Sequence, residues 1–70
     1  VDQDLEKAFY WTMKSAEQGN AGSQGCAGYM LLEGRGCDMD KEKAIVWLKK
    51  SARQGDKDCV EELNSMEVDY

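Results

Sequence analysis

Three glycines spaced three residues apart, in the stretch GSQGCAGYM at 22–30, are the first residues whose spacing suggests a chemical site. Glycine-rich loops bind phosphate when a strand precedes them and when the spacing is G-x-G-x-x-G or the loop ends in Gly-Lys-Ser/Thr. Here the preceding segment has a helical pattern, and no Lys-Ser or Lys-Thr follows. The stretch therefore predicts a helix whose small residues let a neighbouring helix approach closely, rather than a nucleotide site.

The alternating acids Asp38, Asp40 and Glu42 resemble the start of a calcium-binding loop. Such a loop requires glycine at its sixth position and glutamate at its twelfth, where this chain has Lys43 and Lys49. The same stretch predicts a turn instead, in which glycines permit positive φ and Asp40 caps the next helix.

The cysteines Cys26, Cys37 and Cys59 lack C-x-x-C spacing, and the chain has no histidine that could complete a zinc site. We interpret them as small buried residues, with one disulfide or a reactive thiol as the alternatives. No nucleophile has an evident base, and Ser15 and Ser51 are expected to be buried. The chain is therefore predicted not to be an enzyme and to use no cofactor or metal.

The net charge of −5 comes entirely from the last fifteen residues. Residues 1–55 contain eight acids and eight bases, whereas residues 56–70 contain six acids and one base. Nucleic acid is not a predicted partner because it requires a basic surface. No apolar run approaches the ~20 residues of a membrane span, so the chain is expected to be soluble, and no compartment is indicated. The acidic segment is either a solvated helix or an acidic contact surface. The candidate residues for such a surface are Glu61, Glu62, Glu67 and Asp69.

The chain repeats itself with an offset of 36 residues. DLEKAFYWTMKSAEQG at 4–19 and DKEKAIVWLKKSARQG at 40–55 are identical at ten of sixteen positions. Each copy has the apolar period of a helix, an aspartate (Asp4 or Asp40) at the expected N-cap, and a closing glycine that permits positive φ. The repeat predicts stacked helices at approximately 4–18, 21–33, 40–54 and 56–68, within one domain of residues 1–70.

Two tryptophans, Trp11 and Trp47, occupy the same position in the two copies. Because they recur with the repeat, both are predicted to lie in the core rather than on a contact surface. Replacing either by alanine is then expected to cost about 3–5 kcal/mol, as for a buried large aromatic residue.

The stretch GNAGSQGCAGYMLLEGRGCDMDKEKAIVWLKKSARQG at 19–55 resembles the Sel1-like repeat family, which is related to tetratricopeptide repeats. It contains a small-residue helix, a G-x-G turn and the pattern K-A-x-x-W-x-x-K-x-A-x-x-G. Residues 4–19 resemble the second helix of a preceding repeat, and residues 56–70 the start of a following one. The resemblance implies an all-α fold of antiparallel helix-turn-helix repeats, an α-solenoid of about four helices with one full repeat and two half repeats.

The function that this resemblance implies is a protein-interaction scaffold or adaptor, which binds a protein or peptide on a short concave helical surface. The helix at 21–33 is expected to line that surface, with packing against neighbouring helices as the alternative role for its larger side chains. The candidate contact residues are Gln24, Tyr29, Leu32 and Glu33. Two other functions stay open. One is a small acidic inhibitor or immunity-type protein that masks a basic target, and the other is a structural fragment of a longer repeat protein that self-associates through its open repeat ends.

Overall fold

The computed structural model describes residues 3–68, which form four consecutive α-helices. α1 spans Gln3–Glu17, α2 spans Ala21–Glu33, α3 spans Lys41–Arg53 and α4 spans Lys57–Ser65. The described range contains no strand, so the prediction of an all-α fold is confirmed. α1, α2 and α3 begin and end within one residue of the predicted bounds, whereas α4 ends three residues before the predicted residue 68.

Each helix packs against the next in chain order, α1 on α2, α2 on α3 and α3 on α4. The turns that join them are short, which makes successive helices antiparallel neighbours. The buried apolar residues are Ala16, Ala27, Leu31, Ala44, Leu48, Ala52, Cys59 and Leu63. The main cluster is formed by α3 and α4, where Leu48 and Ala52 meet Cys59 and Leu63. No helix in the described part of the chain is long and apolar enough to cross a membrane.

Polar side chains begin the second and third helices. Asn20 accepts a hydrogen bond from the Ser23 amide at 3.0 Å, and Asp40 accepts one from the Lys43 amide at 3.1 Å. Each bond satisfies an amide that has no partner within its own helix. The predicted cap at Asp40 is therefore confirmed. The prediction for Asp4 was wrong, because α1 already begins at Gln3 and places Asp4 in its first turn.

Two glycines on α2 allow α3 and α4 to come close. A Cβ atom on Gly28 would lie 2.7 Å from Leu48 Cγ, and a Cβ atom on Gly25 would lie 2.9 Å from Cys59 Sγ. Both distances are shorter than van der Waals contact, so only glycine fits this packing. The predicted close approach is confirmed at these two positions but not at Gly22, where an added Cβ would meet nothing closer than 3.4 Å.

The prediction that both tryptophans are buried was wrong for Trp11, which is 67% exposed. Trp47 is half-buried, and its ring lies 4.7 Å from the Lys50 ammonium nitrogen. The two environments differ because α3 packs between α2 and α4, whereas α1 packs on α2. Ser51 is fully buried as predicted, and its repeat equivalent Ser15 is half-buried.

Candidate protein-binding groove

An open groove of about 550 Å³ lies between α2 and α4. It is lined by Tyr29 from α2 and by Asp58, Glu61, Glu62 and Ser65 from α4. Its volume falls within the range of about 300–1,000 Å³ that is typical of ligand sites. We refer to these five residues as the α2–α4 groove.

Local sequence signals position the acidic wall of the groove. Asp56 caps α4, because its carboxylate Oδ1 accepts hydrogen bonds from the amides of Asp58 at 3.0 Å and Cys59 at 3.3 Å. Acidic residues in a first helical turn also favour the helix dipole. From this start, the groove-lining residues of α4 recur at helical spacing, three to four residues apart, and therefore share one face. Leu63 lies on the opposite face and is fully buried, which fixes the rotation of α4.

Tyr29 joins the two walls of the groove. Its hydroxyl donates a hydrogen bond to the carbonyl oxygen of Asp58 at 3.3 Å, and its ring packs against the cluster formed by α3 and α4. Partial burial, followed by nearby negative charges, raises the pKa of Tyr29 to about 12. In the alkaline range where Tyr29 titrates, those charges belong to the Cys59 thiolate and to the carboxylates of Glu62, Asp58 and Asp56. The phenol therefore stays protonated and neutral at physiological pH.

The groove presents carboxylates and one aromatic ring, with no basic side chain among its lining residues. Carboxylates accept hydrogen bonds from guanidinium and ammonium groups, and the face of a tyrosine ring attracts cations. The arrangement is suited to binding a cationic side chain.

Gln24 does not belong to this surface, so its prediction as a contact residue was wrong. Its side chain is only 5% exposed. Its amide nitrogen donates to the Ala16 carbonyl oxygen at 3.2 Å, and its amide oxygen accepts from Gln54 Nε2 at 2.7 Å. A buried amide keeps such partners because losing one leaves an unsatisfied polar atom. The recurrence of glutamine at 18 and 54 was the signal in the sequence for a structural glutamine contact here.

The other sequence-predicted residues lie at several places. Leu32 is half-buried, and Glu33 is exposed with its carboxylate 4.0 Å from the Arg35 guanidinium. Neither lines the α2–α4 groove. Glu67 is exposed beyond the end of α4, and Asp69 lies outside the described residues. Of the eight predicted residues, the groove brings together Tyr29, Glu61 and Glu62.

Asp58 and Ser65 were missed as groove residues by the sequence interpretation. Their spacing on α4 was readable, since Asp58, Glu62 and Ser65 follow each other at four and three residues. What the sequence did not indicate was that this face of α4 lies beside Tyr29 of α2. That neighbourhood depends on how far each helix is rotated in the stack.

The three cysteines are free and differ in exposure: Cys26 is exposed, Cys37 is half-buried and Cys59 is buried. The prediction of small buried residues therefore holds for Cys59 and was wrong for Cys26. Burial raises the pKa of the Cys37 and Cys59 thiols above their usual value, so both are less reactive at neutral pH. Within residues 3–68, no group of cysteine, aspartate and glutamate side chains is arranged to hold a metal ion.

A stack of antiparallel helices with an internal repeat and a groove between alternate helices defines the class of helical-repeat proteins. The family model of the Sel1 repeat matches residues 1–20 and 25–56. The chain belongs to the Sel1 repeat family. Repeats of this family are helical scaffolds that typically mediate protein–protein interactions and are generally non-enzymatic.

The crystal structure of a Sel1 repeat protein from Oxalobacter formigenes is similar to this chain, with a TM-score of 0.87 and 42% sequence identity. The match covers 94% of this chain and 19% of that chain, so the present chain spans about a fifth of the length of its structural relative. No curated protein matches the chain.

Proposed function

We propose that this chain is a protein-interaction module that binds a peptide segment of another protein in the α2–α4 groove. The observation that carries the proposal is the convergence of Tyr29 from one helix and three carboxylates from another on a single groove. An aromatic ring in a polar groove is the type of residue that often dominates binding energy at interfaces. Leu32 and Glu33 follow Tyr29 on α2 and extend the proposed contact along that helix.

The proposed partner segment carries lysine or arginine. Asp58, Glu61 and Glu62 give the groove negative charge, which attracts a cation and raises the rate of encounter. Tyr29 then offers its ring face to the same cation. A planar guanidinium can in addition form two parallel hydrogen bonds to one carboxylate.

Selection of short random peptides against the immobilised protein tests the proposal. We expect selected peptides to be rich in lysine and arginine and to lose binding to Tyr29→Ala. Tyr10→Ala is the matched control, since Tyr10 is 53% exposed on α1 and does not line the groove. Selected peptides that bind Tyr29→Ala as well as the unsubstituted protein would contradict the groove as the binding site.

The acidic wall also favours a second candidate function, a small protein that masks a basic surface of an enzyme or toxin. This function would use Glu61 and Glu62 together with Asp58, the same residues as the first candidate. Once a protein partner with an enzymatic or toxic activity is known, its activity in the presence of this chain separates masking from an adaptor function. Stoichiometric loss of that activity supports masking, whereas unchanged activity supports an adaptor.

A further inference from the structure

A second cavity, of about 360 Å³, lies between α1, the end of α2 and the turn that leads to α3. Three of its lining residues carry sulfur: Met13 from α1, and Cys37 and Met39 from the turn. We refer to the space that these three residues line as the sulfur cavity. Two segments that are distant in sequence therefore bring three sulfur atoms to one place.

Backbone contacts hold the turn that carries Cys37 and Met39. The Asp40 amide donates a hydrogen bond to the Leu31 carbonyl oxygen of α2 at 2.9 Å. Gly36 has a φ of 74°, and a Cβ atom on it would overlap the backbone of α1, so the turn lies directly on that helix. The thiol and the thioether, two residues apart, are therefore presented from a fixed backbone.

The sulfur atoms of the cavity are available to a ligand. The Cys37 thiol donates weak hydrogen bonds to the carbonyl oxygens of Met30 and Arg35, each at 3.6 Å, and these bonds use its hydrogen rather than its lone pairs. Met13 is half-buried, and Met39 is 71% exposed. A methionine with that exposure contributes little to the core, and its flexible side chain is free to turn toward the cavity.

The donor atoms of the cavity suit a soft metal ion. Thiolate and thioether sulfur select Cu(I), whereas calcium and magnesium require oxygen ligands. Within residues 3–68, no group of cysteine, aspartate and glutamate side chains is arranged to hold a metal ion, so the thioethers are needed to complete a site. Two carboxylates, Asp38 and Asp40, and one ammonium, Lys43, also line the cavity, and their formal charge of −1 favours a cation. The sequence prediction of no metal rested on the missing fourth zinc ligand and did not consider thioethers.

We propose that Cys37, Met13 and Met39 form a site for a soft monovalent metal ion, Cu(I). On binding, the metal replaces the thiol proton of Cys37, which passes to the solvent, and copper stays in the +1 state throughout. The two thioethers add neutral ligands, while Phe9 and Leu31 give the cavity an apolar wall that limits access of water. None of the described residues lines both the sulfur cavity and the α2–α4 groove, so this site does not depend on the proposed function.

Competition for Cu(I) against the chromophoric chelator bicinchoninate, under oxygen-free conditions, tests the proposal. Cys26→Ser is the background of every protein compared, because Cys26 is exposed and its thiol can bind Cu(I) by itself. Met13→Leu with Met39→Leu removes both thioethers at nearly constant volume. Met30→Leu with Met66→Leu is the matched control, since neither of these methionines lines the cavity. Thermal unfolding of each variant shows whether the fold is kept.

We expect the background protein to withhold a single Cu(I) ion from the chelator. Loss of both cavity thioethers should weaken this affinity by at least about tenfold, since removing a group that only supports a metal ligand already costs about 10–100-fold. The control pair should leave the affinity unchanged, and Cys37→Ser should abolish binding. Equal affinities of the two methionine variants would overturn the proposal, because a thiol alone would then hold the ion. Retention of Cu(I) by Cys37→Ser would overturn it too.

Alkylation of Cys37 by iodoacetamide is a second readout that needs no substitution in the cavity. In the Cys26→Ser protein, one equivalent of Cu(I) should slow the alkylation of Cys37, because the metal occupies the sulfur that attacks the reagent. An unchanged rate of alkylation with Cu(I) present would contradict the site.

Discussion

At the scale of single residues, two glycines of α2, Gly22 and Gly28, are expected to have opposite effects on stability when replaced by alanine. A Cβ atom on Gly28 would overlap Leu48, which is fully buried and cannot move aside, whereas a Cβ atom on Gly22 meets only the Asn20 side-chain oxygen at 3.4 Å. Alanine favours a helix over glycine by about 1 kcal/mol. Whether replacing a glycine by alanine raises or lowers the free energy of unfolding therefore depends on the space around it.

We therefore expect Gly28→Ala to lower the free energy of unfolding by up to about 2 kcal/mol, since an overpacking cost of about 1–3 kcal/mol is offset only in part by a gain in helix propensity of about 1 kcal/mol. Gly22→Ala should raise it by up to about 1 kcal/mol. Urea unfolding of the two variants measures both values. Equal effects at the two positions would contradict the close approach of α2 and α3.

The raised pKa of Tyr29 predicts that the stability of the fold decreases at alkaline pH. An unfolded tyrosine has a pKa near 10, whereas partial burial raises the pKa of folded Tyr29 to about 12. The folded protein holds this proton in the interval where the unfolded chain loses it, so the contribution is constant below pH ~10 and stability falls as pH rises from there toward pH ~12.

Phenolate absorbance of the native protein and of Tyr29→Phe, measured across this range, gives the titration of Tyr29 as the difference. We expect a midpoint of the difference curve near 12. A bound arginine-rich peptide should lower this pKa, because guanidinium groups keep their charge in this range, unlike lysine, and a nearby positive charge favours the phenolate. A difference curve centred near the unfolded value would remove the evidence for an acidic, partly desolvated groove.

At the scale of helices, position in the stack determines what an identical side chain contributes. Trp11 and Trp47 are equivalent in the repeat, but Trp11 is 67% exposed and Trp47 is half-buried. We expect Trp11→Ala to change the free energy of unfolding by no more than about 0.5 kcal/mol, as for most surface substitutions. Trp47→Ala should cost more, though less than the about 3–5 kcal/mol of a fully buried tryptophan. Equal losses in thermal unfolding would show that Trp11 is covered in solution.

The last helix ends with a hydrogen-bonded motif that normally contains glycine. The Val68 amide donates to the Leu63 carbonyl at 2.9 Å, the Glu67 amide donates to the Asn64 carbonyl at 3.0 Å, and Glu67 has a φ of 58°. This pair of bonds is the Schellman motif, whose left-handed residue costs a non-glycine side chain roughly 1 kcal/mol.

Glu67→Gly should therefore raise the free energy of unfolding by about 1 kcal/mol. Gly34→Ala is the reciprocal control, because Gly34 ends α2 with a φ of 71°. This variant should lower the free energy of unfolding by a similar amount. Thermal unfolding compares the two. No change on Glu67→Gly would mean that the end of α4 does not hold this conformation in solution.

Helix number, the bounds of α1, α2 and α3, and the Asp40 cap were predictable because they depend on residues close together in sequence. The glycine-rich α2 was also predictable, since small residues at helical spacing imply a close neighbour despite poor propensity. The structural role of Gln24 was not predictable, because its partners at residues 16 and 54 come from α1 and from the C-cap of α3, both distant in sequence. The exposure of Trp11 was not predictable either, because two nearly identical helical sequences do not reveal which helix has a neighbour on both sides.

At the scale of the whole molecule, charge is distributed unevenly along the stack. Residues 1–55 are neutral overall, so the net charge of −5 belongs to the segment that contains α4 and its acidic groove wall. A cationic partner approaching the protein is therefore drawn to one end of it. Interactions between exposed charges weaken as added salt shortens the screening length from about 10 Å at 0.1 M.

We expect the affinity for a lysine- or arginine-rich peptide to fall with increasing salt, and Asp58→Asn with Glu62→Gln to reduce both the affinity and its salt dependence. Asp38→Asn with Glu42→Gln removes the same formal charge from exposed positions outside the α2–α4 groove and is the matched control. Titrations at several salt concentrations decide between two physical origins of binding. If both double variants weaken binding equally, the peptide responds to net charge alone. If only the groove variant does, the arrangement of carboxylates around Tyr29 determines recognition.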